Sequence, residues 1–177
     1  VILTGSQKAL AMPPGLALFT VSARAFQRAE QTEGRGYYFD FLEFRSNHAK
    51  GMTPSTPVIP LIHALNYTLN KIFSEGVENR HQRHSRLNQL VHKWAEGHGF
   101  ELLPQQQFAS KSLTCLKNNL HIDLAGFVKT LRESKKIAID GGYGKIKGKT
   151  FRVSNMGDET DKSIGHLLSS MDEVLEQ

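Results

Sequence analysis

A lysine lies in a turn of small residues near the start of the chain. The apolar run Val1–Leu3 leads into Thr4-Gly5-Ser6-Gln7-Lys8, and a second apolar run follows Pro13-Pro14-Gly15. This pattern predicts two buried strands with Lys8 in the loop between them. In a partly buried site an amine can lose its proton and form a Schiff base with an aldehyde. From spacing alone, however, a surface lysine in a turn is the commoner explanation.

Two other patterns of reactive residues do not form recognisable sites. The chain has eight histidines, and His81 and His84 have a helical i, i+3 spacing. No carboxylate or cysteine cluster accompanies them, so we interpret them as a solvated helix face and predict no metal site. The glycine-rich stretch Gly141–Lys149 lacks the Gly-Lys-Ser/Thr ending that opens a helix in a phosphate-binding P-loop.

Alternating strands and helices are predicted along the whole chain. Residues 15–22 form a strand, Ser22 caps a helix over Ala23–Glu30, and residues 31–57 show no periodicity. Apolar spacing of three and four predicts a long helix over 58–76 and a second from Val77 to about Gly97. Further predicted elements are strands at Phe100–Leu103, Leu113–Leu116, Ile137–Asp140 and Thr150–Ser154, a helix capped by Asp123, and a last helix that carries Ile164 to Leu175.

These elements divide the chain into three parts. Residues 77–177 form a compact α+β unit, residues 58–76 a connecting helix, and residues 1–57 the end of another domain with a connecting loop. Two strands do not make an independently stable sheet. We therefore expect the first part to be the tail of a larger domain whose other strands lie upstream, and the chain to be a piece of a longer protein.

Composition limits the class of protein. No apolar run approaches the ~20 residues that a membrane-spanning helix needs, and the start lacks the pattern of a signal peptide. Cys115 is the only cysteine, which excludes an internal disulfide and suits a reducing compartment, so a cytoplasmic location is expected. The net charge of +5 comes from basic residues scattered among acids. That scatter argues weakly against nucleic acid and is compatible with a small anionic ligand.

Four segments, in this order, carry a resemblance to a known family. They are Ser6-Gln7-Lys8-Ala9-Leu10 with Pro13-Pro14-Gly15-Leu16, Lys50-Gly51-Met52-Thr53-Pro54-Ser55-Thr56-Pro57, Gly141-Gly142-Tyr143-Gly144, and Phe151-Arg152-Val153-Ser154-Asn155-Met156-Gly157. They resemble the class V aminotransferases, and within that family are most similar to the alanine–glyoxylate and serine–pyruvate or serine–glyoxylate enzymes. The resemblance covers essentially all 177 residues and corresponds to roughly the C-terminal half of a family member.

The resemblance implies a fold and an activity. The fold is the α/β fold of pyridoxal-phosphate-dependent transferases (fold type I). The chain would supply the end of the large domain and the small α+β domain, an antiparallel sheet covered by helices. The activity is transfer of an amino group from a small amino acid, alanine or serine, to a 2-oxo acid such as glyoxylate or pyruvate. The implied partners are pyridoxal 5'-phosphate, a second copy of the full-length enzyme, and the missing N-terminal half.

The resemblance also implies roles for individual residues. Lys8 corresponds to the Schiff-base lysine, which later acts as the general base on the substrate α-proton. Gln7 corresponds to a glutamine that helps hold the cofactor phosphate. Arg152 corresponds to the arginine that binds the substrate α-carboxylate, because a planar guanidinium can pair with both oxygens.

The Pro-rich loop corresponds to a segment that reaches the cofactor phosphate in the neighbouring subunit. Its hydroxyl-bearing residues Thr53, Ser55 and Thr56 suit that task, and the sequence does not distinguish which of them makes the contact. A stiff connector between domains is an equally good interpretation of this loop.

Three alternatives remain open. Cysteine desulfurases share the fold and the lysine, but they carry a histidine where this chain has Gln7. They also need a reactive cysteine on a mobile loop, whereas Cys115 lies in a predicted strand as a small buried side chain. Phosphoserine aminotransferase also has a Gln-Lys pair. Finally, the chain alone could be an inactive fragment, because the family's aspartate beside the pyridine nitrogen and its stacking aromatic residue lie upstream of the lysine.

Overall fold

The computed structural model describes residues 1–176, which divide into two compact units. The division along the chain falls between Lys71 and Ile72. It lies inside a long helix rather than in a loop, so that helix contributes residues to both units. The predicted three-part division at 57/58 and 76/77 stays a prediction.

The first unit contains two strands and the helices that follow them. The elements are β1 (Ile2–Gly5), β2 (Ala17–Thr20), α1 (Ala23–Glu30), α2 (Phe41–His48) and α3 (Ile59–Glu75). β1 and β2 pair antiparallel, with Ile2 opposite Thr20 and Gly5 opposite Ala17. Ser22 caps α1 as predicted, since its side chain accepts a hydrogen bond from the backbone N–H of Ala25.

The prediction of buried strands in this unit is wrong. Val1, Ile2 and Leu3 are 62%, 76% and 69% exposed, and β2 has no fully buried residue. In a two-stranded sheet only cross-strand neighbours cover the side chains, so much of the apolar surface stays accessible. The same unit leaves several large apolar side chains of α3 exposed, among them Ile59, Ile62 and Tyr67.

Helix α2 was missed by the sequence analysis, which predicted no regular structure over 31–57. Its start is capped by Asp40, whose carboxylate accepts a hydrogen bond from the N–H of Leu42. Phe41 and Phe44 pack on Phe19 of β2, with ring centroids 5.7 and 5.1 Å apart. These contacts join residues more than twenty positions apart, and a local periodicity search does not detect them.

The second unit contains an antiparallel sheet and three helices. The elements are α4 (Val77–Gly97), β3 (Leu113–Lys117), α5 (Leu124–Ser134), β4 (Asp140–Gly141), β5 (Thr150–Ser154) and α6 (Asp161–Leu175), with 3-10 turns at Gln106–Phe108 and Gly144–Ile146. The sheet order is β3-β5-β4, so β5 is the central strand. Within it Arg152 lies opposite Cys115 on one side and Asp140 on the other.

The core of this unit lies between the sheet and its helices. Phe151 and Val153 of β5 are fully buried, and the rings of Phe100 and Phe127 pack edge-on against Phe151. The other core residues include Leu87, Val91, Trp94, Leu116, Leu131, Ile164 and Met171. Because side chains alternate along a strand, burying Phe151 and Val153 turns Arg152 to the opposite face.

Two predicted strands of the second unit are wrong or shortened. Residues 100–103 form only an isolated bridge between Leu102 and Leu116, and Pro104, which lacks an N–H, follows at once. Of the predicted strand 137–140 only Asp140 belongs to β4. The N–H of Ile137 instead donates to the carbonyl of Leu131 in α5, after Lys136 has adopted a left-handed conformation with φ 59°. Cys115, predicted to be buried, is half-buried.

The described residues include no helix with both the length and the apolar character that crossing a bilayer requires.

Candidate active site

The turn that carries Lys8 is fixed by a buried serine. Ser6 is fully buried, and its hydroxyl donates to the carbonyl of Pro13 over 2.7 Å and accepts from the N–H of Leu16 over 3.3 Å. Its own backbone N–H donates to the Leu16 carbonyl, and its carbonyl accepts from the N–H of Met12. Four hydrogen bonds from one residue therefore close the loop between β1 and β2 and set the path of the backbone on which Lys8 lies.

Lys8 and Gln7 are exposed on this turn. The carbonyl of Lys8 accepts a hydrogen bond from the N–H of Ala11, which adopts a left-handed φ of 53°. The carboxamide of Gln7 folds back over Gly5, where an added Cβ would lie 2.6 Å from Gln7 Oε1. No ion pair of the described residues involves the Lys8 amine. The Lys8 side chain is therefore exposed to solvent, while hydrogen bonds of the buried Ser6 fix the backbone of its turn.

The predicted phosphate loop lies at the start of α3 and lines an open groove of about 680 Å³. The lining residues are Gly51, Met52, Thr53, Pro54, Ser55, Thr56, Pro57, Ile59 and Ile62. The Thr53 hydroxyl donates to the carbonyl of Ser55 over 2.6 Å, which tightens the turn between the prolines. Ser55 and Thr56 are exposed. No hydrogen bond within residues 1–176 joins Thr53, Ser55 or Thr56 to Gln7 or Lys8.

The far end of the Lys8 loop also reaches the start of α3. A Cβ placed on Gly15 would lie 2.9 Å from Leu61 Cδ1, and Gly15 has a φ of 131° that side chains rarely adopt. Thus the loop after Lys8 and the phosphate loop both adjoin the first turns of α3, within the first unit.

Arg152 lies in the second unit with two partners that the sequence analysis did not assign. Its guanidinium donates from Nη2 to Oδ2 of Asp140 and stacks on the ring of Tyr143, 4.4 Å from Cζ to the ring centroid. The Tyr143 hydroxyl in turn donates to Asp140 Oδ2 over 2.8 Å. Nε of Arg152 is buried and has no hydrogen-bond partner among the described residues.

The charges of this cluster reinforce one another. A hydrogen bond from Tyr143, followed by the nearby charge of Arg152, holds the pKa of Asp140 below its usual value against the opposing effect of burial. Burial acts to lower the pKa of Arg152, but hydrogen bonding with Tyr143 and attraction to Asp140 outweigh it and raise that pKa. Both side chains are therefore fully charged at neutral pH.

A tight glycine-containing turn positions Tyr143 over the guanidinium. The N–H of Gly142 donates to the carbonyl of Thr150, and the Thr150 hydroxyl donates to the carbonyl of Ile146. A Cβ on Gly142 would lie 2.3 Å from Thr150 Oγ1 and 2.4 Å from the Ile146 carbonyl oxygen. The absence of a side chain at Gly142 is therefore what lets the turn between β4 and β5 close.

The segment after β5 is anchored to α4. Asn155 is fully buried, and its amide donates to the carbonyls of His84 and Lys111, each over 3.0 Å. Arg83 donates to the carbonyls of Gly157 and Glu159. The segment that follows Arg152 is thus held in place by side chains that donate hydrogen bonds to backbone carbonyls.

Asp140 and Tyr143 are functional candidates that sequence reasoning missed. Tyr143 lies in the Gly141–Gly144 segment, for which the resemblance implies no residue role, and the sequence pattern indicates Asp140 only as the end of a strand. The signal is the register of β4 on β5, because it places Asp140 directly opposite Arg152. Opposite charges at facing positions of two antiparallel strands stabilise their pairing. Such a pair can be recognised only once the register of the two strands is known.

Comparison with known proteins identifies the family. No family model matches the chain. An uncharacterized aminotransferase of Methanocaldococcus jannaschii is 34% identical over 179 residues, which cover 100% of this chain and 46% of that protein. A serine–glyoxylate aminotransferase of Arabidopsis thaliana is 29% identical over 99% of this chain and 44% of its own length. The chain matches the C-terminal half of class V aminotransferases.

Solved structures agree with this assignment. The alanine–glyoxylate aminotransferase of Nostoc sp. superposes with a TM-score of 0.89 and 26% identity, over 98% of this chain and 47% of that one. The resemblance and the predicted α/β transferase fold are therefore confirmed. The chain spans about half the length of the relatives it matches.

Pyridoxal phosphate is the cofactor that this family implies, and the residues present fit it. An exposed amine on a fixed turn suits an aldehyde, and hydroxyls in an open groove suit a phosphate. The unpartnered Nε of Arg152 suits a further carboxylate oxygen. Lys8, Gln7, Thr53, Ser55 and Thr56 lie in the first unit and Arg152 in the second.

Proposed function

We propose that this chain is the C-terminal part of an aminotransferase that moves an amino group from a small amino acid, alanine or serine, to glyoxylate or pyruvate. The observation that carries the proposal is Lys8, an exposed amine whose turn is fixed by the buried Ser6 in a chain homologous to aminotransferases. Support for the substrates comes from the names of the relatives, among which serine–glyoxylate and alanine–glyoxylate aminotransferases recur.

Lys8 has two tasks in this proposal. Its Nζ would hold the cofactor, and the same amine, once free, would take the proton from the substrate α-carbon. Bound pyridoxal phosphate would supply the electron withdrawal that makes this α-proton acidic. The hydrogen bonds of Ser6 fix the backbone from which this side chain extends.

The other residues bind and orient. Gln7, next to Lys8, would donate from its carboxamide to the cofactor phosphate. Thr53, Ser55 and Thr56 would offer hydroxyl donors to the phosphate held by a second subunit of a homodimer. Arg152 would pair with the substrate α-carboxylate through Nε and Nη2, which fixes the direction of the α-proton.

The proposal includes the organisation of the whole protein. Residues 1–57 would belong to the cofactor-binding domain, residues 58–76 to an interdomain helix, and residues 77–177 to the small domain. The rest of the cofactor pocket would come from a preceding N-terminal half, so the chain alone would be inactive, and the enzyme would act in the cytoplasm. Phosphoserine aminotransferase remains the second candidate, and a cysteine-desulfurase-like reaction the third.

The test is a substitution in the full-length protein. Lys8→Ala removes the amine without touching Ser6, so we expect loss of alanine–glyoxylate and serine–pyruvate transamination with an unchanged circular dichroism spectrum. Lys129→Ala, at an exposed position of α5, is the matched control and should retain full activity. A Lys8→Ala enzyme with the wild-type rate would remove Lys8 from the mechanism and the proposal with it.

A further inference from the structure

Asp140 forms an ion pair with Arg152, the residue that the proposed function assigns to the substrate carboxylate. We propose that Asp140 is an affinity-determining residue: its carboxylate pairs with Arg152 when the site is empty, and a substrate carboxylate must displace it. This inference rests on the proposed role of Arg152 and adds a competing anion, supplied by the chain itself, to that site.

The two side chains differ in how firmly they are held. Arg152 belongs to the central strand β5, its side chain is only 21% exposed, and its guanidinium lies on the Tyr143 ring. Asp140 starts the two-residue edge strand β4, and its side chain is 58% exposed. Asp140 can therefore rotate into solvent while Arg152 keeps its place.

The guanidinium also has an unused donor. The Nε–H and one N–H of Nη2 point in the same direction and form the edge that a carboxylate grips with both oxygens. Asp140 takes only Nη2 on this edge, and Nε is buried without a partner among the described residues. Once Asp140 has moved away, a substrate carboxylate that reaches both atoms would make one more charge-assisted hydrogen bond than Asp140 makes, which favours the displacement.

Tyr143 adjusts this competition. Its hydroxyl donates to the same Asp140 oxygen that Arg152 uses, which holds the aspartate at the guanidinium. Removing the hydroxyl while keeping the ring should loosen Asp140 and leave the stacking on Arg152 intact. Tyr143→Phe should therefore change affinity in the same direction as removal of the aspartate charge, by less.

The experiment measures steady-state kinetics of the full-length holoenzyme. Asp140→Asn removes the competing charge, and we expect the KM for alanine to fall about three- to tenfold with kcat unchanged, the size of one partly exposed charge-assisted bond. Tyr143→Phe should lower KM by about twofold. Glu133→Gln removes an exposed carboxylate of the same unit and should leave KM unchanged.

A KM that rises in Asp140→Asn would show that the aspartate positions Arg152, and an unchanged KM would show that it does not compete; either result overturns the inference. Arg152→Lys separates this failure from failure of the proposed function. If Arg152→Lys leaves the KM for alanine unchanged, the carboxylate assignment itself is wrong. If Arg152→Lys raises KM and Asp140→Asn does not lower it, only the competition is wrong.

A second readout does not need turnover. In the purified full-length protein, the NMR signal of Arg152 Nε–H can be titrated with pyruvate for the wild type and for Asp140→Asn. We expect the variant to bind more tightly by the same factor, and equal affinities would contradict the inference.

Discussion

Glu75 provides the sharpest quantitative prediction, because it joins the start of the second unit to the segment after Arg152. Its carboxylate accepts hydrogen bonds from Arg83 at 2.7 and 3.1 Å and from Arg80 at 2.9 Å. Arg83 also donates hydrogen bonds to the backbone carbonyls of Gly157 and Glu159. Hydrogen bonds from Arg83, then from Arg80, lower the pKa of Glu75 from its ordinary 4.5 to about 2.

The sign of the resulting pH dependence follows from this direction. A carboxylate whose pKa is lower in the folded state stabilises the fold above pH 4.5, and that stabilisation is lost as the pH falls towards 2. The full shift corresponds to about 3 kcal/mol. Because 27% of the Glu75 side chain is exposed, solvent screening reduces the expected contribution to about 1–2 kcal/mol.

The assay is urea unfolding of the wild type and Glu75→Gln between pH 6 and pH 3. At pH 6 the variant should be less stable by about 1–3 kcal/mol, since the buried Arg80 and the half-buried Arg83 both lose the charge of this carboxylate, although Arg80 keeps its ion pair with Asp158. At pH 3 the difference should shrink by about 1 kcal/mol, because Glu75 in the unfolded wild type, with its ordinary pKa of 4.5, is then protonated, which favours unfolding. Glu96→Gln, at an exposed position of α4, is the control: its difference from the wild type in free energy of unfolding should be the same at pH 6 and pH 3. A constant difference for Glu75→Gln would refute the reasoning.

Two further predictions concern the Arg152 cluster. Arg152→Lys should raise the KM for the amino substrate about tenfold or more in steady-state kinetics, because one point charge replaces a two-pronged contact; an unchanged KM would remove the assignment. Gly142→Ala should lower the melting temperature and raise the KM, because its Cβ would meet the Ile146 carbonyl oxygen at 2.4 Å. Gly165→Ala, in α6 with open space around it, should instead add about 0.5–1 kcal/mol to the free energy of unfolding, and equal effects of the two substitutions would contradict the close-approach argument.

The local features of the site could be predicted from sequence. The turn at Lys8 follows from Pro13-Pro14-Gly15 between two apolar runs, and the caps at Ser22 and Asp123 follow from residue type at the start of a periodic segment. The family resemblance added the role of Lys8, which spacing alone did not supply.

Features that depend on tertiary pairing could not be predicted. Helix α2 is stabilised by Phe41 and Phe44 on Phe19, contacts between distant segments. Asp140 lies beside Arg152 only because of the register of β4 on β5, which the sequence does not reveal. The burial of Ser6 likewise follows from loop closure against Pro13 and Leu16 and not from a serine in a turn.

The most direct test of the central claim is to locate the cofactor on the chain. The full-length protein is treated with pyridoxal phosphate and borohydride, and peptide mapping by mass spectrometry finds the modified lysine. We expect one adduct, on Lys8, which is absent from Lys8→Ala. An adduct distributed over surface lysines, or none on Lys8 in a folded protein, would contradict it.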